Sequence, residues 1–124
     1  MSKEEMLKKK VWAVVGANIN TEKFGNKIYK RLKNTGYEVY PVNPKYKDIE
    51  GDTCYPSLSD LPVAPDVINI VVSPDIGKAF IEEAKELGIE NIWFQPGTFG
   101  KEVFQILKGS DINVVQGCVL LTTS

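Results

Sequence analysis

Short apolar segments recur along the chain at intervals of about 20 to 30 residues. Each contains β-branched or aromatic residues and is followed by a glycine or a polar turn residue, which is typical of parallel strands buried on both faces. The pattern predicts five strands, at residues 11–15, 37–42, 67–72, 91–94 and 113–115.

Between these segments the apolar residues follow a helical spacing. Phe24, Ile28 and Leu32 are four residues apart, which predicts one apolar helix face after the first strand. Two more helices are predicted after the third and fourth strands, the former with Ser73 as its N-cap residue and Pro74 in its first turn. The apolar residues predicted to face the core from these two helices are Ile76, Phe80, Ala84, Leu87, Val103, Phe104, Ile106 and Leu107.

This alternation predicts an α/β domain with helices on both faces of a parallel sheet. We expect a Rossmann-like three-layer sandwich with a five-stranded parallel sheet in the order 3-2-1-4-5, because crossovers are right-handed. The length of 124 residues suits one domain over residues 1–124. Ligands of such sheets bind at the carboxyl ends of the strands, here between strands 1 and 4, where the order reverses.

Composition excludes several classes of function. The net charge is -1, so we expect no nucleic-acid surface. No apolar run approaches the roughly 18 residues of a membrane span, so we expect none. We expect no secretory signal and a cytoplasmic protein. The chain contains no histidine, which excludes Ser-His-Asp and Cys-His catalysis and histidine metal sites. We therefore expect no catalytic residues and no metal.

The loop after the first strand is a candidate phosphate site. Gly16 permits a sharp turn there, and a helix that begins near Phe24 directs its free N–H groups at the loop. Gly25 keeps the first turn small. Because Ala17 and Asn18 follow Gly16, the motif is not a full G-x-G-x-x-G, and a glycine that only ends a strand remains the alternative.

The end of the second strand narrows the choice of ligand. NAD-binding domains usually carry a carboxylate there to hold the ribose hydroxyls, but this chain has Asn43, Pro44 and Lys45. Lys45 would suit an additional phosphate, as on the ribose of coenzyme A or NADP. A solvated loop lysine is the alternative.

A longer set of motifs resembles the small CoA-binding domain family. The matching residues are Gly16-Ala17-Asn18, the segment 36–46, Gly51, the segment 54–58, Asp60 and Pro62. The resemblance runs from about Lys10 to Leu121, and the fold is similar to that of the CoA-binding domain of the succinyl-CoA synthetase α subunit. It implies coenzyme A as the cofactor, whereas Lys45 leaves NADP open as the alternative.

The resemblance also implies where the cofactor would lie. Gly16, Ala17 and Asn18 would meet the pyrophosphate, flanked by Lys23, Phe24 and Asn26, although family members commonly have an arginine near Lys23. The adenosine end would lie by Asn43, Pro44 and Lys45. The adenine or pantetheine side would be lined by Val72, Ser73 and Pro74, and the pantetheine exit by Gln95, Pro96 and Gly97.

The two cysteines are interpreted differently. Cys118 follows the fifth strand, near the mouth of the expected site, where its thiol would be able to form a mixed disulfide with coenzyme A. A small side chain in the core is the alternative for Cys118. Cys54 is interpreted as structural.

Three functions follow from these features. The leading one is a non-catalytic coenzyme A-binding protein that acts as a CoA sensor, carrier or regulatory subunit, with an acyl-CoA enzyme or a second copy of the chain as partner. The second is an NADP- or NAD-dependent oxidoreductase or redox sensor. The third is a ligand-free interaction module that uses the apolar tail Val119-Leu120-Leu121.

Overall fold

The computed structural model describes residues 1–123 and contains the alternating strands and helices that the sequence predicts. The strands are β1 (Val11–Val15), β2 (Glu38–Val42), β3 (Asp48–Ile49), β4 (Asp52–Thr53), β5 (Val67–Ile70), β6 (Asn91–Phe94) and β7 (Asn113–Gln116). The helices are α1 (Lys3–Leu7), α2 (Phe24–Asn34), α3 (Pro74–Leu87), α4 (Lys101–Leu107) and α5 (Val119–Thr122), with a 3-10 turn at Leu58–Asp60. Within residues 1–123, none of the helices combines the length and the apolar character that a membrane crossing needs.

The predicted Rossmann-like α/β fold with a five-stranded parallel sheet is confirmed. The strands lie in the order β2-β1-β5-β6-β7, and β3 pairs with β4 in a separate antiparallel hairpin. Counting only the five strands of the sheet, this order is 2-1-3-4-5. It differs from the predicted 3-2-1-4-5 in one respect: the third strand pairs with the first, with Val14 opposite Asn69, instead of lying beyond the second.

The difference has a physical reason. The preference for right-handed crossovers fixes the face on which a connection passes the sheet, but it does not fix which edge the next strand joins. Here the connection from β2 to β5 carries a 3-10 turn that packs on α3, on the face opposite α2. The order therefore reverses between β1 and β5, and the expected ligand position moves to the ends of those two strands.

Two cores lie on the two faces of the sheet. Trp12 and Val14 of β1 pack with Ile28 and Leu32 of α2 on one face. The alternate residues of the same strand pack on the other face with α3 and α4, because successive side chains of a strand point to opposite sides. This gives the predicted three layers.

The buried faces of α3 and α4 differ from the predicted ones. Ile76, Leu87 and Phe104 are exposed, whereas Ile81 is buried in α3. In α3 the position against the sheet is taken by Gly77, whose backbone lies close to Ile70 and Val72. The prediction was based on the spacing of large apolar residues and therefore overlooked Gly77. The predicted buried face of α3 was rotated by about one residue as a result.

Candidate functional site

The carboxyl ends of β1, β2, β5 and β6 surround a cavity of about 410 Å³, an ordinary size for a small-molecule site. The cavity brings together many of the predicted site residues: Gly16, Asn18, Lys23, Phe24, Asn43, Lys45, Val72, Gln95, Pro96 and Cys118. The wall also includes Gly25, Val71 and Thr98, which were not predicted to contact the ligand.

Six other predicted site residues do not line the cavity: Ala17, Asn26, Pro44, Ser73, Pro74 and Gly97. Ala17 is buried, and its carbonyl oxygen accepts a hydrogen bond of 2.9 Å from Asn43 Nδ2. Ser73 is the N-cap residue of α3 and Pro74 its first residue, as predicted. Ala17 and Asn43 thus connect the first loop to the end of β2.

The first loop and α2 are in direct contact. Gly16 has a φ of 101°, a conformation that favours glycine, and its N–H donates to the Val42 carbonyl oxygen at 2.9 Å. A Cβ atom on Gly25 would lie 2.0 Å from the Gly16 carbonyl oxygen and 3.2 Å from the Asn18 nitrogen. Only a residue without a side chain at position 25 lets the helix approach the loop this closely.

This contact gathers unpaired donors at one end of the cavity. The backbone N–H groups of Asn18, Phe24 and Gly25 make no hydrogen bond within residues 1–123. The first turn of α2 contains no acidic residue of its own to compete with a bound anion for the positive end of the helix dipole. Free N–H groups at a helix start are a general binding site for anions such as phosphate.

Two lysines add positive charge to the wall. The side chains of Lys23 and Lys45 are exposed and form no ion pair within the described part of the chain. Lys45 is positioned through its own backbone, because its N–H donates to Asn43 Oδ1 at 2.9 Å. Among the described residues, neither Asp nor Glu lines the cavity. The wall is therefore complementary to a ligand with several negative charges.

The β3–β4 hairpin supports the first loop from outside the cavity. Asn26 is buried, and its Nδ2 donates to the Asn18 carbonyl oxygen at 2.9 Å and to Glu50 Oε2 at 3.0 Å. Glu50 lies in the hairpin turn with a φ of 54°. Sequence reasoning placed Asn26 near the ligand but could not assign this role, because nothing local to position 26 indicates that position 50 lies beside it.

Gln95, Thr98 and Cys118 form the end of the cavity at β6 and β7. Gln95 is buried, and its backbone carbonyl oxygen accepts a hydrogen bond of 2.7 Å from Thr98 Oγ1. The turn after β6 was expected at the site, but the expectation stopped at Gly97. Thr98 reaches the wall because the turn folds back on Gln95, an arrangement that residue type alone does not reveal.

The two cysteines lie in different surroundings. Cys118 is partly exposed on the cavity wall. Cys54 is buried, its Sγ donates to the Asn43 carbonyl oxygen at 3.5 Å, and burial raises the pKa of its thiol. These surroundings agree with the structural interpretation of Cys54.

Known proteins resemble this chain in sequence and in fold. Residues 10–124 match the sequence profile of the protein family described as the CoA binding domain. An ADP-forming acetate–CoA ligase I of Archaeoglobus fulgidus is 40% identical over 87 residues, which are 70% of this chain but 13% of that protein. The uncharacterized protein YneT of Bacillus subtilis is 27% identical over 113 residues, which are 91% of this chain and 84% of YneT.

A solved structure has the same fold at a higher identity. A conserved hypothetical protein from Pyrococcus furiosus superimposes with a TM-score of 0.86 and is 42% identical, over 92% of this chain and 99% of that one. By contrast, the chain spans only 11% to 20% of the length of the first three acetate–CoA ligase relatives.

Proposed function

Because this chain belongs to the CoA binding domain family, we propose that it is a non-catalytic coenzyme A-binding protein. The observation that carries the proposal is the group of N–H donors at Asn18, Phe24 and Gly25, which have no partner among residues 1–123, on a cavity wall to which those residues contribute no carboxylate. Coenzyme A has a diphosphate and a ribose phosphate, so this donor set and the two wall lysines fit its charge. The close approach of Gly25 to Gly16, which brings these donors together, leaves no room for a Cβ atom on Gly25.

The cavity suggests an orientation for the cofactor. The diphosphate would lie on the first loop and the start of α2, with Lys23 beside it. Lys45, at the end of β2, would lie by the ribose phosphate. The pantetheine arm would cross the ends of β5 and β6 along Val72, towards Gln95. This orientation gives each charged part of the ligand a donor or a lysine.

The role we propose is to hold the cofactor. The sequence contains no histidine, so neither phosphoryl transfer through histidine nor a histidine base operates within it. Coenzyme A itself supplies a thiol that carries acyl groups. A protein that only binds it would serve as a CoA sensor or carrier, or as a regulatory subunit of an acyl-CoA enzyme. The similarity to acetate–CoA ligases supports a partner of that last kind.

A thermal-shift titration with CoA, dephospho-CoA, acetyl-CoA, NAD and NADP tests the proposal. Coenzyme A at 100 times its Kd adds about 2.7 kcal/mol of apparent stability, so its melting shift is easily measured. We expect CoA to raise the melting temperature more than NADP does, and NAD to leave the melting temperature unchanged. A shift with NADP and none with CoA would contradict the proposal and favour a nicotinamide-dependent function.

A further inference from the structure

We infer that the end of the cavity at β6 and β7 is a thiol–disulfide exchange site, at which Cys118 exchanges with disulfides of coenzyme A. The inference rests on the proposed function, because the cavity must first hold the cofactor. It goes further by assigning a covalent reaction to a side chain of the wall.

The position of Cys118 is fixed by its neighbours on both sides. Gly117 donates its N–H to the Phe94 carbonyl oxygen at 3.0 Å, and Trp93 Nε1 donates to the Gly117 carbonyl oxygen at 2.8 Å. On the other side, the N–H of Val119 donates to Gln95 Oε1 at 2.9 Å. The Cys118 sulfur itself makes no hydrogen bond within residues 1–123. The segment therefore holds a free thiol at a defined place on the cavity wall.

Gln95 gives an independent sign of a ligand at the same place. Its side chain is 5% exposed, yet it lines the cavity. Within a side-chain amide only the oxygen accepts a hydrogen bond, so the contact with the Val119 N–H fixes the orientation of the Gln95 amide. Its Nε2 group then has no partner within the described residues and is left as a donor for the cavity. The amide carbonyl groups of a pantetheine arm are acceptors of the kind it needs.

The reaction balances without a further oxidant. The Cys118 thiol loses its proton, and the thiolate attacks the CoA sulfur of a low-molecular-weight CoA disulfide. A bond forms between Cys118 Sγ and the CoA sulfur, and the original disulfide bond breaks. The second half of the disulfide leaves as a thiolate and takes up a proton. The co-reactant, a CoA disulfide, supplies the oxidised sulfur.

The experiment treats the protein with the symmetrical disulfide of CoA and, in parallel, with glutathione disulfide, and follows the intact mass. We expect wild type and Cys54→Ser to gain one CoA that dithiothreitol removes, and Cys118→Ser to gain none. The reaction with the CoA disulfide should be about tenfold faster or more than with glutathione disulfide, because binding places the sulfurs together. Desulfo-CoA should slow it by competition.

Several results would overturn the inference: an adduct on Cys54, no adduct, or equal rates with the two disulfides. Peptide mapping of the wild-type adduct assigns the cysteine even if a variant fails to fold. Calorimetric binding of CoA to wild type under reducing conditions separates the two claims. Binding without an adduct would overturn the exchange site alone, whereas absent binding would overturn the proposed function and the exchange site together.

Discussion

Gly25, at the start of α2, lies against the carbonyl oxygen of Gly16, at the end of β1. A Cβ atom on Gly25 would lie 2.0 Å from that oxygen. The contact explains why the unpaired N–H groups of the loop and of the helix reach the same end of the cavity. Positions 16 and 25 are thus coupled, although they belong to different secondary-structure elements.

Replacing Gly25 with alanine should therefore separate α2 from the loop. The new methyl group meets a backbone oxygen that cannot rotate away, so we expect the free energy of unfolding to fall by about 1–3 kcal/mol, the usual range for overpacking. The same change should weaken CoA binding. Urea denaturation measures the first effect and calorimetry the second.

Gly77→Ala is the matched control for that variant. Gly77 is also a buried helical glycine, but a Cβ there would lie 3.5 Å from Ile70 and Val72, an ordinary contact distance. Alanine is the better helix former by about 0.5–1 kcal/mol, so Gly77→Ala should be neutral or stabilising. Equal stability of the two variants would contradict the tight contact between Gly16 and Gly25.

Lys45→Ala should reduce the affinity for CoA and leave the affinity for dephospho-CoA unchanged. The lysine would contact the ribose phosphate, which dephospho-CoA lacks. We expect a loss of about tenfold, equivalent to about 1.4 kcal/mol. Calorimetric titration of both ligands into wild type and variant measures the difference. Lys47→Ala, two residues further on and outside the cavity wall, is the control for net charge. Equal losses of affinity for CoA and for dephospho-CoA would show that Lys45 does not contact the ribose phosphate.

Asp52 should make stability depend on acid pH. The Lys33 ammonium group, and then the Tyr29 hydroxyl, donate to this carboxylate and hold its pKa below the usual 3.8. Because the pKa is lower in the folded protein, the contribution is present above pH 3.8 and disappears as the pH falls through the folded-state value. The pair is largely solvated, so its contribution should be below about 1 kcal/mol.

Urea denaturation of wild type and Asp52→Asn at decreasing pH measures this contribution. The variant should be less stable near neutral pH, and the difference should shrink below pH 3.8. Asp111→Asn removes an exposed carboxylate without a hydrogen bond in the described residues and controls for net charge. A difference between wild type and Asp52→Asn that stays constant over the whole range would contradict the role of Asp52.

The sequence was sufficient to predict the parts of the fold that depend on local pattern. Buried β-branched segments such as Val11–Val15 indicated the strands, and Gly16 and Asn43, which directly follow β1 and β2, do line one cavity. Strand order was not predictable in this way, because the pairing of Val14 with Asn69 depends on a choice between two sheet edges. The contact of Asn26 with Glu50 was not predictable either, because the two residues are 24 positions apart and meet only when the hairpin folds against α2.

We expect coenzyme A to bind in the cavity at the ends of β1 and β5. A titration of ¹⁵N-labelled protein with CoA, followed by amide chemical shifts, locates the bound ligand residue by residue. A second hollow, lined by Tyr29, Tyr37, Tyr40 and Tyr55 beside β2, has a volume of about 320 Å³ and serves as the internal comparison. We expect saturable shifts at Asn18, Gly25 and Thr98 and none at the tyrosine hollow. Shifts confined to that hollow, or no shifts with CoA, would contradict it.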